Sequence, residues 1–297
     1  MTTVGKLSPK DYDILMEICG KHGFEEGATE IDSVIIKQPY EPAQILSPDL
    51  KARIDRDWQT KLESARKGGT KPPHNGQLVE YRSHEVRVEE GVGRVLELRV
   101  GFTDYMTQTG VRVYSDGPQI WSLGQGSIAF FQGEDGERSF LFGTRSKHVA
   151  QLLGSKESIP SGYVDTETVE HYGSEALDRN LRREFTEETL GLPEERIVAM
   201  RPLGFTLIGT YINPKTEERR PLNDTQVHYA LEFRATPNEI EEGRKRGKKL
   251  SGEHSEIMIV QESRLADFFT ENGDQINRRT KASMKNFLTR YANAPLI

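Results

Sequence analysis

The chain has 297 residues, of which 35% are hydrophobic and 29% are charged. That is enough apolar material for a folded core, so a wholly disordered chain is excluded. The net charge of −6 argues against a general nucleic-acid-binding protein, which would need a broad basic face.

The compartment is expected to be the cytoplasm, with the nucleus as the alternative. Cys19 is the single cysteine, so no intrachain disulfide can form. No apolar run approaches the roughly 18 residues that a membrane helix needs, and the N-terminus lacks the apolar centre of a signal peptide. The sequence therefore predicts a soluble protein.

The first part of the chain is predicted to mix helices and strands. Ser8 and Pro9 are a favourable helix start, and Cys19 falls on the apolar side of the helix that ends near Gly20. The other predicted elements are a strand over Asp32–Ile36, a helix from Ser47 carrying Ile54, Trp58 and Leu62, and a hairpin over Val86–Val88 and Leu96–Val100.

The turn-rich stretch Tyr114–Gly126 is interpreted as a domain boundary, which divides the chain into residues 1–118 and 119–297. The second part is predicted to contain a hairpin from Ser127, a charged helix, strands at Phe205–Tyr211, Val227–Phe233 and Ile257–Val260, and a final helix that buries Met284 and Phe287. Intermingled strands and helices indicate an α/β or α+β class with a mixed sheet.

The most informative segment is the predicted helix Gly173–Leu192. Three glutamates, Glu184, Glu187 and Glu188, are spaced i, i+3 and i+4 and therefore share one face. Their mutual repulsion is removed if a hard cation lies between them, and oxygen-only ligands favour Mg²⁺, with Mn²⁺ as the alternative. A solvated acidic helix is the other interpretation of these three residues.

Glu175, followed after seven residues by Arg183-Glu184-Phe185-Thr186-Glu187-Glu188, resembles the Nudix box. The resemblance covers about the last 175 residues. It implies a Nudix-type α/β/α sandwich with a mixed sheet, preceded by a smaller α+β N-terminal domain over residues 1–118. Two departures concern the surrounding loop: the opening glycine is best matched by Gly162, with an insertion over Thr166–Tyr172, and the closing glycine is displaced to Gly191.

The resemblance also implies an activity, the Mg²⁺-dependent hydrolysis of a nucleoside diphosphate linked to another group. Glu184, Glu187 and Glu188 would then hold the metal, with Glu187 also counted as catalytic. By the same analogy, Arg183 would orient a glutamate of the box and Glu175 would support it.

Further site residues are expected outside the box. Glu253 and Glu256, on a loop before a late strand, are alternative general bases, with His254 as an assistant or a surface residue. Arg145 is expected either to approach the substrate phosphates or to form a structural salt bridge. Gly162 is a substrate-binding candidate whose main role is expected to be a backbone requirement. The basic run 244–249 is expected to be a solvated loop, a phosphate-attracting flap or a nuclear localisation signal.

A weaker resemblance in layout covers nearly the whole chain and points to the UDP-glucose and UDP-galactose diphosphatase branch, whose members release UMP and a sugar 1-phosphate. It includes the Trp58 helix and the GEHSEIMIVQ segment. The alternatives are an ADP-ribose or ADP-sugar pyrophosphatase, a non-hydrolysing nucleotide-binding module and an RNA-cap hydrolase. The expected partner is thus a small nucleoside diphosphate derivative, and no association with a membrane is expected. The N-terminal part is expected to shape the sugar end of the pocket or to mediate a homodimer.

Overall fold

The structure is a computed structural model that describes residues 7–20, 31–69, 72–114, 117–146, 154–189, 191–212, 219–250, 254–292 and 296. Its helices are α1 (Pro9–Gly20), α2 (Pro48–Lys67), α3 (Tyr105–Val111), α4 (Thr166–Tyr172), α5 (Ala176–Glu188), α6 (Pro237–Leu250), α7 (Leu265–Asn272) and α8 (Arg278–Tyr291). Its strands are β1 (Ser33–Ile36), β2 (Gln77–Glu89), β3 (Gly93–Asp104), β4 (Trp121–Gln132), β5 (Arg138–Arg145), β6 (Lys156–Ser158), β7 (Ser161–Tyr163), β8 (Ile197–Ile212), β9 (Arg219–Phe233) and β10 (His254–Gln261).

The first two helices begin where the sequence predicts. The Ser8 hydroxyl accepts a hydrogen bond from the Asp11 amide at 3.1 Å, and the Ser47 hydroxyl accepts one from the Leu50 amide at 3.2 Å. Cys19 is 1% exposed, and burial raises the pKa of its thiol to about 12. The predicted position of Cys19 on the apolar side of this helix is therefore confirmed.

The described strands form one ten-stranded mixed sheet around β4. One edge of β4 pairs with β9 in parallel over nine residues. Its other edge pairs with three antiparallel strands in turn, namely β2 at its start, β7 in its middle and β5 at its end. From the edge shared by these three strands, the sheet continues through β2 to β3 and β1, and through β5 to β10.

Helices cover both faces of the sheet. On one face, α4, α5 and α6 bury Val169, Leu177 and Ile240 in a core shared with the sheet. On the opposite face, α1, α7 and α8 bury a second core that contains Phe269 and Phe287. The fold is an α/β/α sandwich with a mixed sheet, so the predicted fold class is confirmed. No helix in the described part of the chain is both long and apolar enough to cross a bilayer.

The strand pairing continues across the division at residue 118. Tyr81 of β2 pairs with Trp121 of β4, and the Val79 amide donates to the Val164 carbonyl at 3.0 Å. Val79 and Leu98 also belong to the same apolar core as Leu123. The division into a separate domain of residues 1–118 therefore remains a prediction. Any such domain would share one sheet with the rest of the chain.

Several elements differ from the sequence-based expectation. The stretch interpreted as a boundary contains the start of β4, which begins at Trp121. The insertion expected to lengthen a loop is the helix α4, and the loop expected before the last strand contains the helix α6. The short helices α3 and α7 were not predicted. Each missed helix is short or strongly polar, so its apolar period is too weak to detect.

A chain of residues 119–297 tests the division directly. We expect it to lose cooperative thermal unfolding, because β4 would lose β2 and the shared core would lose the apolar residues of β2 and β3. Circular dichroism during heating measures this, with a chain beginning at residue 7 as the control. Cooperative unfolding of the shortened chain near the melting temperature of the full chain would instead establish residues 119–297 as an independent domain.

A buried histidine joins α8 to the sheet. Thr206 Oγ1 lies 2.8 Å from Nε2 of His228, and Ser283 Oγ lies 2.7 Å from Nδ1. Because the Ser283 hydroxyl donates to the Arg279 carbonyl, it accepts from Nδ1–H, and Thr206 donates to Nε2. Burial, together with the charge of Arg279, lowers the pKa of His228 from 6.5 to about 3. The native ring is therefore neutral at and above mildly acidic pH.

This burial makes stability depend on pH with a defined sign. The unfolded chain binds a proton at His228 below about pH 6.5, whereas the native chain does not until about pH 3. The contribution of the neutral His228 ring to the free energy of unfolding should therefore be complete above pH 6.5. It should decrease as the pH drops below 6.5, by at most about 1.4 kcal/mol per pH unit.

Urea unfolding at several pH values between 7 and 4 gives the free energy of unfolding at each pH. The slope of this free energy against pH should be shallower for His228→Gln than for the wild type. His171→Gln, which alters an exposed histidine on α4, serves as the matched control and should keep the wild-type slope. Equal slopes for His228→Gln and the wild type would contradict a neutral buried ring.

Candidate active site

The helix α5 separates an apolar side from an acidic side. Leu177, Leu181 and Phe185 are at most 1% exposed and pack into the core. The predicted helix from Gly173 is instead a 3₁₀ turn over Gly173–Glu175 followed by α5 from Ala176. The helix also ends earlier than predicted, at Glu188, while Gly191 adopts a positive φ of 62° in the turn that follows.

Arg183 is fixed by groups on two helices. Its Nη1 donates to Oδ2 of Asp165 at 2.6 Å, and its Nη2 donates to Oδ1 of Asn180 at 2.6 Å and to Oε1 of Glu184 at 3.3 Å. Its Nε lies 4.0 Å from Oε1 of Glu187. One guanidinium group therefore lies beside two of the three glutamates that the sequence analysis selects.

Asp165 has a second task, because it is the N-cap of α4. Its Oδ1 accepts from the Thr168 amide at 2.7 Å. Partial burial alone would raise the pKa of Asp165, but the hydrogen bonds from Thr168 and Arg183 outweigh it, so the pKa lies below its ordinary value. The residue directly before the insertion Thr166–Tyr172 thus supplies the carboxylate that holds Arg183.

The acidic side of α5 is joined to the strand β7 by three contacts. Oε2 of Glu188 accepts from the Ser161 amide at 2.9 Å, and Nδ2 of Asn180 donates to the Tyr163 carbonyl at 3.3 Å. At Gly162, a Cβ atom would lie 2.6 Å from both Cδ and Oε1 of Glu184. Glycine therefore allows the backbone of β7 to approach Glu184, which is the kind of backbone requirement expected of Gly162.

The three glutamates differ in exposure. Glu188 is 4% exposed, the side chain of Glu184 is 14% exposed, and that of Glu187 is 62% exposed. Among the residues that the structure describes, no group of three or more His, Cys, Asp or Glu side chains is close enough together to hold one metal ion. The oxygen-only donors nevertheless fit Mg²⁺, which is commonly held by one or two carboxylates together with water and substrate phosphates. The metal ligands thus remain a prediction.

Arg145 lies in a buried ionic network at the end of β5. Its Nη1 donates to Oε1 of Glu157 at 2.7 Å, which corresponds to the structural salt bridge of its two expected roles. His254 Nε2 lies 3.0 Å from the same oxygen, and Nδ2 of Asn277 donates to Oε2 at 3.0 Å. Sequence reasoning missed Glu157, because a single glutamate in a three-residue strand carries no pattern.

Both candidate bases remain predictions. Glu253 lies outside the described residues. Glu256 is exposed on β10 rather than on a loop, and it pairs with Thr144 of β5. The expectation that His254 is a surface residue is wrong, since its side chain is 1% exposed. The basic run 244–249 lies in the helix α6, so the expectation of a loop is also wrong there.

Comparisons with known proteins return structural likeness only. No protein-family model matches the chain, and no curated protein matches it. Among solved structures, a Nudix hydrolase from M. smegmatis, RenU, is 17% identical with a TM-score of 0.37, and the match covers 59% of this chain and 88% of that one. A Nudix hydrolase from Alicyclobacillus acidocaldarius is 15% identical with a TM-score of 0.36, covering 58% and 92%.

A third match is an Ap4A hydrolase from C. elegans, which is 14% identical with a TM-score of 0.29; the match covers 57% of this chain and 99% of that one. At these identities and scores the matches carry no argument about what this chain does. The contacts of α5 with β7 and with the start of α4 are therefore the basis for inferring a function.

The approach of β7 to Glu184 can be tested with two glycines on neighbouring paired strands. Gly162→Ala should lower the free energy of unfolding by about 0.5–1.5 kcal/mol, because the new Cβ atom displaces the carboxylate end of Glu184 from its hydrogen bond with Arg183. Gly126→Ala on β4 is the matched control, since its Cβ would meet nothing closer than 3.5 Å. Urea unfolding measures both, and equal losses would show that the contact with Glu184 has no special cost.

Proposed function

We propose that this protein is a Nudix-type hydrolase that cleaves the pyrophosphate bond of a nucleoside diphosphate-linked compound with the help of Mg²⁺. One observation carries the proposal. Glu184 and Glu188, one helical turn apart, both meet β7, while Arg183 is fixed by Asp165 beside Glu184. A solvated acidic helix would not need a glycine at 162 or a backbone amide directed at a buried glutamate.

Glu184, Glu187 and Glu188 are the proposed metal ligands, of which one or two would bind the ion directly and the rest through water. Glu184 and Glu188 are positioned by β7, and Glu187 is accessible from solvent. A bound Mg²⁺ would polarise phosphoryl oxygens and lower the pKa of a water molecule that attacks the pyrophosphate. The metal charge would also let a polyanionic substrate approach an acidic helix.

Arg183 acts on the glutamates rather than on the substrate in this proposal. Its bonds to Asp165 and Asn180 fix the guanidinium plane, and that plane orients the carboxylate of Glu184. Such fixed geometry favours catalysis, because a ligand held in advance needs little reorganisation during the reaction. The general base is proposed to be Glu253 or Glu256.

The finer proposal is a UDP-sugar substrate cleaved to UMP and a sugar 1-phosphate. It is supported by the whole-chain layout, in which the strands β2 and β3 precede the box and extend the same sheet. The chemistry of an ADP-ribose or ADP-sugar pyrophosphatase would use the same glutamates, so the base and the sugar must be determined with substrates.

The test is a substrate panel with the wild type and one variant. The protein is incubated with Mg²⁺ and UDP-glucose, ADP-ribose, GDP-mannose or capped RNA, and the products are separated by chromatography. Release of UMP and glucose 1-phosphate is expected. Glu187→Gln should lower kcat by about 100- to 1000-fold, the cost typical of removing one group that stabilises the transition state. Its melting temperature should be unchanged, because Glu187 is largely exposed.

Glu170→Gln, an exposed glutamate on α4, is the matched control and should keep the wild-type rate. AMP and ribose 5-phosphate as the main products would overturn the UDP-sugar substrate but retain the reaction. No turnover of any compound, with Mn²⁺ also tried, would overturn the hydrolase and favour a non-hydrolysing nucleotide-binding module. A wild-type rate for Glu187→Gln would contradict its role as a metal ligand.

A further inference from the structure

Glu157 is a buried carboxylate that joins its own strand to three other elements. It lies on β6 and is 4% exposed. It accepts hydrogen bonds from Arg145 at the end of β5, from His254 at the start of β10 and from Asn277 before α8. Burial alone would raise the pKa of Glu157, but Arg145 and His254 outweigh it, so the pKa lies below its ordinary value. An ionised carboxylate therefore joins these elements.

The chain connects this carboxylate to the acidic helix within a few residues. Ser161, four residues after Glu157, donates its amide to Glu188, and the next residue, Gly162, contacts Glu184. Between them, the Pro160 carbonyl accepts from the Ser127 amide of β4 at 3.1 Å. The position of Glu157 thus helps to set where β7 meets the glutamates of α5.

We propose that Glu157 is a positioning residue that fixes β7 against Glu184 and Glu188 and thereby sets the geometry of the acidic site. The proposal rests on the proposed function for its effect on turnover. Its effect on β7 follows from the contacts alone. Misplacing a reacting group by about 1 Å can cost about 100-fold in rate, so a residue that touches no substrate can still control kcat.

The chain contains a matched control on the same strand. Arg138, at the opposite end of β5, donates from Nε to Oε2 of Glu262 at 2.8 Å, and Glu262 is 3% exposed. Arg138 also donates to the carbonyls of Tyr291 and Ala292 at the end of α8. Both ends of β5 are thus tied to α8 through a buried arginine–glutamate pair, but only Glu157 is followed directly by β7.

The experiment compares Glu157→Gln with Glu262→Gln in the full-length protein. Both variants should lower the melting temperature by similar amounts, because each removes one charge from a buried pair. Only Glu157→Gln should lower kcat, by about 10- to 100-fold, while KM changes by less than about threefold. Hydrogen exchange should also accelerate at the Ser161 amide in Glu157→Gln and stay at the wild-type rate in Glu262→Gln.

Asn277→Ser, whose hydroxyl is too short to reach Glu157, is a second variant in case Glu157→Gln does not fold. It keeps an oxygen to cap α8, where Oδ1 of Asn277 accepts from the Thr280 amide, but removes the amide donor to Glu157. It should reproduce the effect on kcat and on Ser161 exchange. Equal losses of kcat in Glu157→Gln and Glu262→Gln, with Ser161 exchange unchanged, would overturn the proposal.

The failure of the proposed function would look different. A wild type without turnover would overturn the hydrolase, while faster Ser161 exchange confined to Glu157→Gln would still support the role of Glu157 in fixing β7. Turnover by the wild type combined with unchanged exchange and kcat in Glu157→Gln would overturn the positioning role alone.

Discussion

The central strand β4 imposes the constraint on which the rest of the structure depends. It pairs with β9 along one edge, and its other edge is shared by β2, β7 and β5 in sequence. Nearly all of β4 is buried, so its backbone groups must be satisfied by these neighbours. A strand as short as β7 can keep a fixed position because β4 holds it by backbone pairing. The acidic helix then meets a strand whose position is already determined.

Electrostatics explains why the contact between α5 and β7 needs hydrogen-bond donors and positive charge beside the glutamates. Glutamates on one helical face repel each other, and a buried glutamate such as Glu188 also needs a donor to replace water. The Ser161 amide supplies that donor, and Arg183 supplies a positive charge that Asp165 holds in place. Glu157, four residues before Ser161, is likewise balanced by three donors of its own. The site is thus a layer of carboxylates whose charges are balanced by fixed partners.

Local patterns account for the features that the sequence could predict. The cap at Ser47, the hairpin of β2 and β3 and the apolar stripe of α5 are each determined by a few neighbouring residues, and each appears in the structure. The charged helix can be recognised because the spacing of Arg183, Glu184, Glu187 and Glu188 is itself a local pattern. The class of fold followed from the order of such elements.

Features that depend on distant residues could not be predicted in the same way. Arg145 and Glu157 are 12 residues apart, but Asn277 joins them from 120 residues away, and only the sheet brings them together. The polar sequence neighbours of His254 indicate a surface residue, yet β10 packs its ring against Gly143, where a Cβ atom would clash with the ring. The continuity of the sheet across residue 118 was hidden for the same reason, since a turn-rich stretch says nothing about which strands pair. The acidic side chains of α5 are positioned by such long-range contacts. Variants at these contacts are therefore more informative about mechanism than further changes at Glu184, Glu187 and Glu188.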